Sequence, residues 1–351
     1  MIDRLNIQRF RGIKGLSIDA LKRFNVIFGE NNAGKTSVLE SVRLLACGFR
    51  FSPILKLARV REMKTLFPSR SNEEFFASFF PFNDPREGLS ISAQANQQTF
   101  FSDINGSWVS VLSRPRSDRY SGYRVDAPSA PEKTLSITIR TQNGRKECLL
   151  SDSSRPFPTE GENFPSVFIA SYDHLSTRVL SPFVKDRRLM EHGLNIAKRF
   201  DSGIESLFFQ EDSSSHQALD SVRLSDGHVL PLSSFGDGLR KTLMFLGGIQ
   251  KARHGVLLID EFDDALHEGI YLDVFALLLS AAQEFDVQII ATTHRDDIVK
   301  AFAKATDIPQ ELSEAFSFIT LRRSSDAVLA RSLSLDEVLT RAERYGFEVR
   351  E

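Results

Sequence analysis

Gly29-Glu30-Asn31-Asn32-Ala33-Gly34-Lys35-Thr36 is the stretch whose reading decides the fold. It fits G-x-x-x-x-G-K-[ST] at every fixed position, follows a short apolar run at 25–28, and opens a helical pattern over 35–47. In the order strand, glycine loop, helix, successive backbone N–H groups can wrap a phosphate while the helix N-terminus adds partial positive charge. Lys35 then reaches the outer phosphates and the Thr36 hydroxyl can ligate magnesium. Gly29, Asn31, Asn32, Ala33, Gly34, Lys35, Thr36 and Ser37 are the residues this reading assigns to the loop.

Three further stretches carry compatible chemistry. Val256-Leu257-Leu258-Ile259-Asp260-Glu261 is an apolar strand ending in two acids. Beside a nucleotide, Asp260 would hold magnesium directly or through water, and Glu261 would polarise an attacking water. Residues 289–293 form another strand pattern with His294 at its end. Strand C-termini of an open parallel sheet face the ligand, which puts His294 within reach of a terminal phosphate or the attacking water. Leu232-Ser233-Ser234-Phe235-Gly236-Asp237-Gly238-Leu239-Arg240-Lys241 opens a helix and is a second anion-binding helix start. It serves the same phosphates only if the two helix starts converge; otherwise it serves the nucleotide of a partner subunit.

Around these stretches the chain divides into three. Residues 1–50 predict two antiparallel strands, at 2–10 and 16–20, and then the strand, loop and helix. Residues 51–165 hold ten of the thirteen prolines and a phenylalanine cluster at 67, 75, 76, 79, 80 and 82. They predict an antiparallel β insert with a short helix, including a hairpin over 134–150 turned by Asn143-Gly144 in type I′ geometry. The phenylalanines read as buried core, with a partner-facing patch as the alternative. Residues 166–351 predict a strand at 166–170, a helix over 186–207 and a hairpin over 222–232, followed by strands alternating with helices. That alternation argues a mostly parallel sheet covered on both faces.

Composition bounds the remaining possibilities. A chain of 351 residues with 41% hydrophobic and 26% charged residues has ample core and is not an intrinsically disordered one. The net charge of −2 gives no argument for nucleic acid or membrane binding. Two cysteines, Cys47 and Cys148, supply neither a disulfide framework nor a zinc site and suit a reducing cytoplasm. No apolar run is long enough to span a bilayer.

In this sequence order, the four stretches resemble the ABC-class ATPases of the SMC/RecF/OLD group. Gly29–Thr36 is similar to the Walker A motif, Ser234-Phe235-Gly236-Asp237 to the ABC signature, and 256–261 to Walker B. Residues 263–267 sit where the D-loop lies, and His294 matches the switch histidine. Ile7-Gln8-Arg9-Phe10-Arg11-Gly12 resembles the family's N-terminal strand and turn, which makes Arg11 a candidate for holding base or phosphates. Asp260-Glu261-Phe262-Asp263-Asp264-Ala265-Leu266-His267 favours the OLD-like branch. Between Thr36 and Ser234 the chain is too short and too proline-rich for a coiled-coil rod, and 295–351 is too short for a TOPRIM nuclease. The closest resemblance is therefore to stand-alone OLD-like, AAA-type ATPases.

The resemblance implies an α/β fold: a two-lobe ABC-type ATPase head with a mixed sheet around the phosphate loop, an antiparallel β subdomain and a helical lobe. It makes 1–351 one composite head, with 1–50 and 166–351 as nucleotide-binding core and 51–165 as insert. It implies ATP and Mg2+ as cofactors, with Thr36 and Asp260 on the metal, Glu261 and His294 catalytic, and Ser234 and Gly236 facing the nucleotide of a second copy. The partners implied are a homodimer or higher even oligomer, no membrane, and a separate effector, a nuclease or toxin of bacterial anti-phage defence. Two alternatives stand beside this switch: a RecF-like repair ATPase binding duplex DNA, and an assembly scaffold stabilised by ATP.

Overall fold

The computed structural model describes residues 1–48, 50, 71–112 and 131–150. It also describes 162–211 apart from 172, 176 and 177, and 218–345 apart from 265, 296, 306, 307, 309, 325 and 326. Phe67 and most of the loop tracts in 51–165 lie outside the described residues.

The central sheet has the order β15-β14-β3-β13-β12-β8. Its members are β3 (Phe24–Gly29), β8 (Ser166–Ile169), β12 (Val256–Ile259), β13 (Gln288–Thr292), β14 (Phe316–Arg323) and β15 (Val328–Leu333). All neighbours run parallel except β15, an antiparallel edge strand. The carboxyl ends of β3, β8, β12, β13 and β14 therefore share one edge. Every residue of β3, β12 and β13 is buried, as continuous apolar runs covered on both faces require.

Alternation along these strands feeds two cores. Val256, Leu258 and Ile290 point into one, with α1 (Lys35–Cys47) and the antiparallel strands. Leu257, Ile259, Ile289 and Ala291 point into the other. That second core is lined by α3 (Arg187–Phe200), α4 (Asp237–Lys251), α5 (Tyr271–Glu284), α6 (Asp297–Lys304), α7 (Gln310–Ala315) and α8 (Leu335–Tyr345). Much of the phenylalanine excess sits here: Phe24 lies 4.5 Å from Phe316 and 5.2 Å from Phe275, and Phe262 lies 5.1 Å from both Phe245 and Phe275. Such pairs add about 0.5–1.5 kcal/mol each beyond their burial.

The antiparallel sheet has the order β2-β1-β4-β5-β6-β7. β1 (Ile2–Phe10) pairs with β2 (Ile13–Asp19) on one side and with β4 (Leu89–Ala95) on the other. One sheet is thus built from both the N-terminal segment and the 51–165 segment. It continues through β5 (Gln98–Leu112), β6 (Pro131–Thr141) and β7 (Gly144–Leu149). A short α2 (Asn72–Ala77), capped reciprocally by Ser71 and Glu74, packs Phe75, Phe76, Phe79 and Phe80 into this core. Phe82 departs from the predicted core, at 81% exposed.

Two local expectations are corrected. The helix predicted over 186–207 ends at Phe200, where the Asp201 carboxylate accepts from the Gly203 N–H and turns the chain. Ile204 then opens β9 (Ile204–Glu211), which pairs with β10 (Ala218–Leu224), itself paired with β11 (Val229–Pro231). The apolar spacing of 204–207 suits a helix, but aspartate and glycine end it and strand pairing takes over. The β6–β7 turn is Gln142-Asn143, closed by Thr141 opposite Gly144, and only Gly144 has positive φ there. Type I′ needs positive φ at both central residues. Asn96 and Gln97, at 51° and 63° between β4 and β5, meet that condition instead. Among the described residues, no helix is long and apolar enough to cross a membrane.

Candidate functional site

The loop between β3 and α1 can form because glycine stands where side chains cannot. A Cβ at Gly29 would come 2.6 Å from the Leu321 carbonyl oxygen of neighbouring β14, and Gly34, at the N-cap of α1, has φ 100°. Lys35 is 5% exposed, and its Nζ donates to the Gly29 and Glu30 carbonyls at 2.6 and 2.9 Å. A cleft of about 380 Å³ opens beside it. Asn32, Gly34, Lys35, Thr36, Ser37 and His294 all line that cleft. Gly29, Glu30 and Asn31 form the adjoining rim, where His294 faces them too. Ala33 is buried against the loop.

The acids arrive from β12. The Thr36 hydroxyl donates to the two Asp260 carboxylate oxygens at 3.1 and 3.3 Å, and Thr292 Oγ1 donates to Asp260 Oδ1 at 2.7 Å. Glu261 stands next, with φ 52°, a left-handed conformation uncommon for a residue with a side chain. Its N–H donates to Thr292 Oγ1 at 3.0 Å, and its carbonyl accepts from Lys241 Nζ at 2.9 Å. Its Oε1 lies 3.6 Å from His294 Nε2. Thr36, Asp260, Glu261 and His294, separated by more than two hundred positions of sequence, thus meet at the carboxyl edge of one sheet. Asp263, 3% exposed, has its carboxyl raised above the usual aspartate range by burial, partly offset by a hydrogen bond from Thr293.

Arg11 lines the same cleft, at the turn between β1 and β2. Its guanidinium meets Glu40 through Nε at 2.8 Å and Nη2 at 3.1 Å, and lies 4.7 Å from the Phe79 ring centre. Ser234 and Gly236 are exposed at the start of α4 and line neither pocket that contains the phosphate loop. Neither of these two clefts joins the two helix starts.

Four contributors were missed by the sequence reading. Thr292 anchors both Asp260 and Glu261; it lies in a strand whose last residue drew attention only to the histidine after it. Arg323 ends β14, lines the cleft and donates to the Gly12 carbonyl at 2.7 Å. Its place at the end of a parallel strand was the available signal. Glu40 and Lys241 sit inside helices, and nothing in their spacing points to the site.

Comparison with known proteins accords with this geometry. A family described as "AAA domain, putative AbiEii toxin, Type IV TA system" matches residues 24–300. The chain belongs to that family. Over 344 residues it is 21% identical to an ATP/GTP phosphatase of Helicobacter pylori, covering 86% of this chain and 87% of the relative. A shorter match, 50% identical over 50 residues and 14% of each chain, is to the DNA replication and repair protein RecF of Acinetobacter baylyi. Among solved structures it is similar to an Smc head bound to the C-winged helix domain of ScpA, with TM-score 0.51 and 14% identity over 95% of this chain and 98% of that one. It is likewise similar to a Pyrococcus furiosus Smc head bound to the C-terminal domain of ScpA, with TM-score 0.50 and 13% identity over 98% of each. The fold of this family member is an ABC-type ATPase head, and its AAA family and the ATP/GTP phosphatase relative support ATP hydrolysis as its activity.

Proposed function

We propose that two copies of this chain close around ATP, that hydrolysis reopens them, and that the movement controls a separate effector. One observation carries the reading: Thr36, Asp260, Glu261 and His294 converge on the phosphate loop, while Ser234 and Gly236, whose helix start suits an anion, are exposed and outside that cleft. A second copy related by a two-fold axis would bring its own Ser234 and Gly236 to complete each site. Lys35 would hold the outer phosphates, Glu261 would orient and polarise the attacking water, and His294 would contact the terminal phosphate. The Thr36 hydroxyl and Asp260 carboxylate are hard oxygen donors on one spot, which fits magnesium. When bound, the metal would neutralise phosphate charge.

The effector would be a nuclease or toxin of anti-phage defence, as for stand-alone OLD-like ATPases, acting in the cytoplasm. Glu261→Gln tests the cycle, since it removes the carboxylate and keeps the loop. With magnesium and ATP it should accumulate as a dimer with turnover lost; a monomer under those conditions contradicts the reading, and unchanged turnover favours the scaffold. The local RecF match favours a second reading, duplex DNA as the partner. It predicts ATP-dependent, salt-sensitive binding.

A further inference from the structure

A fully buried lysine lies on α4, outside the clefts, with no part in phosphate binding. Lys241 is 0% exposed, and its ammonium donates to the main-chain oxygen of Glu261 at 2.9 Å. The carboxylate of Asp264 lies 3.7 Å from the same nitrogen, at the surface. Lysine is almost never fully buried unless paired, and a methionine would fill the same space without desolvating a charge.

What Lys241 holds is unusual. Glu261 has φ 52°, in a region that costs a residue with a Cβ on the order of 1–3 kcal/mol unless its surroundings enforce it. Polar contacts enforce it from both sides of the residue: Thr292 Oγ1 accepts the Glu261 N–H at 3.0 Å, the Phe262 N–H donates to the Thr292 carbonyl at 2.9 Å, and the Glu261 carbonyl accepts from the Asp264 N–H at 3.3 Å and, more closely, from Lys241 Nζ at 2.9 Å, its one side-chain donor among the described residues. The peptide groups on both sides of the Glu261 Cα are therefore fixed, and the carboxylate is delivered to His294.

We infer that Lys241 is a positioning residue for hydrolysis, holding the Glu261 backbone so that its carboxylate faces the phosphate loop. This rests on the reading of Glu261 as the group that polarises water. Lys241 is five positions into α4 from Gly236, about 7.5 Å along the helix axis. Whatever docks at the exposed start of α4 is thus tied to the Glu261 main chain by little more than one rigid turn, which makes Lys241 the link between that surface and the chemistry.

Lys241→Met, Lys241→Gln and Lys241→Arg, beside Glu261→Gln, test the inference through kcat, KM, the Kd of a fluorescent ATP analogue and Tm. Lys241→Met and Lys241→Gln should lower kcat about ten-fold or more at a Kd within about two-fold of wild type, with Lys241→Arg recovering much of the loss. That split between kcat and Kd is one that mere loosening of the fold would not give. Wild-type kcat in folded Lys241 variants, with Glu261→Gln inactive, overturns this inference alone. Wild-type turnover in Glu261→Gln overturns the reading of Glu261 and the inference with it. Failure of all three Lys241 variants to fold, or losses of kcat matched by losses of ATP affinity, would make Lys241 a structural residue and also overturn it.

Discussion

Arg11→Ala separates two roles that one arginine could have in the cleft. The Arg11 side chain is 12% exposed and that of Glu40 only 1%, and two guanidinium nitrogens reach the carboxylate at 2.8 and 3.1 Å. Removing the arginine takes both of these contacts from a carboxylate buried in the core, and breaking such a buried pair from one side costs about 3–5 kcal/mol. With an unfolding entropy of about 2.1 cal/mol/K per residue over 351 residues, each kcal/mol moves Tm by about 1.4 °C, so Tm should fall by about 4–7 °C. Glu40→Gln should cost less, about 1–3 kcal/mol, because a neutral amide tolerates burial and the guanidinium keeps Ser78. The double variant should be less destabilised than the sum, by about 1–3 kcal/mol. Calorimetry on the four proteins, with ATP titrations of each, measures this cycle. Additive effects with Tm unmoved in Arg11→Ala would refute the ion-pair account; a loss of ATP affinity at unchanged Tm would reassign Arg11 to the nucleotide.

Lys35→Met should weaken ATP binding by about 10- to 100-fold while leaving Tm nearly unchanged without nucleotide, as read by calorimetric titration. Burial holds the Asp263 pKa above its unfolded value, so the folded protein binds the extra proton and loses stability as pH rises from the ordinary aspartate range through the folded pKa. Asp263→Asn should therefore raise Tm at pH 7, with the gain shrinking toward about pH 4; a lower Tm at pH 7 would show that the charge is stabilising. Burial pushes the Cys47 thiol up to about 11, so Ellman's reagent at pH 8 should modify Cys47 only after unfolding.

The groups that must stand at fixed offsets were legible in the sequence. The loop at 29–36, the acids at 260–261 and His294 each follow a strand, and parallel order brings strand ends together, so their meeting could be anticipated. Their supports could not. Thr292, Lys241 and Glu40 act through one or two side-chain contacts each, made between separate elements of the fold, and no periodicity encodes such a contact. The helix predicted to reach Leu207 shows the same limit in the fold: residues 204–207 keep a helical apolar spacing, yet pairing with 218–224 makes them a strand. The β6–β7 hairpin was legible and its turn was not, because closure at Thr141 and Gly144 is set by register rather than by the Asn-Gly pair.

The central claim is that each ATP site is shared between two copies. Mixing two inactive variants tests it most directly: Lys35→Met, defective in the phosphate loop, and Ser234→Arg, defective at the exposed start of α4. A two-fold sandwich predicts that each alone is inactive and that an equimolar mixture recovers about one quarter of wild-type ATPase activity, because half of randomly assembled dimers hold one intact site of two. A mixture as inactive as its components, or a fully active Ser234→Arg, would contradict it.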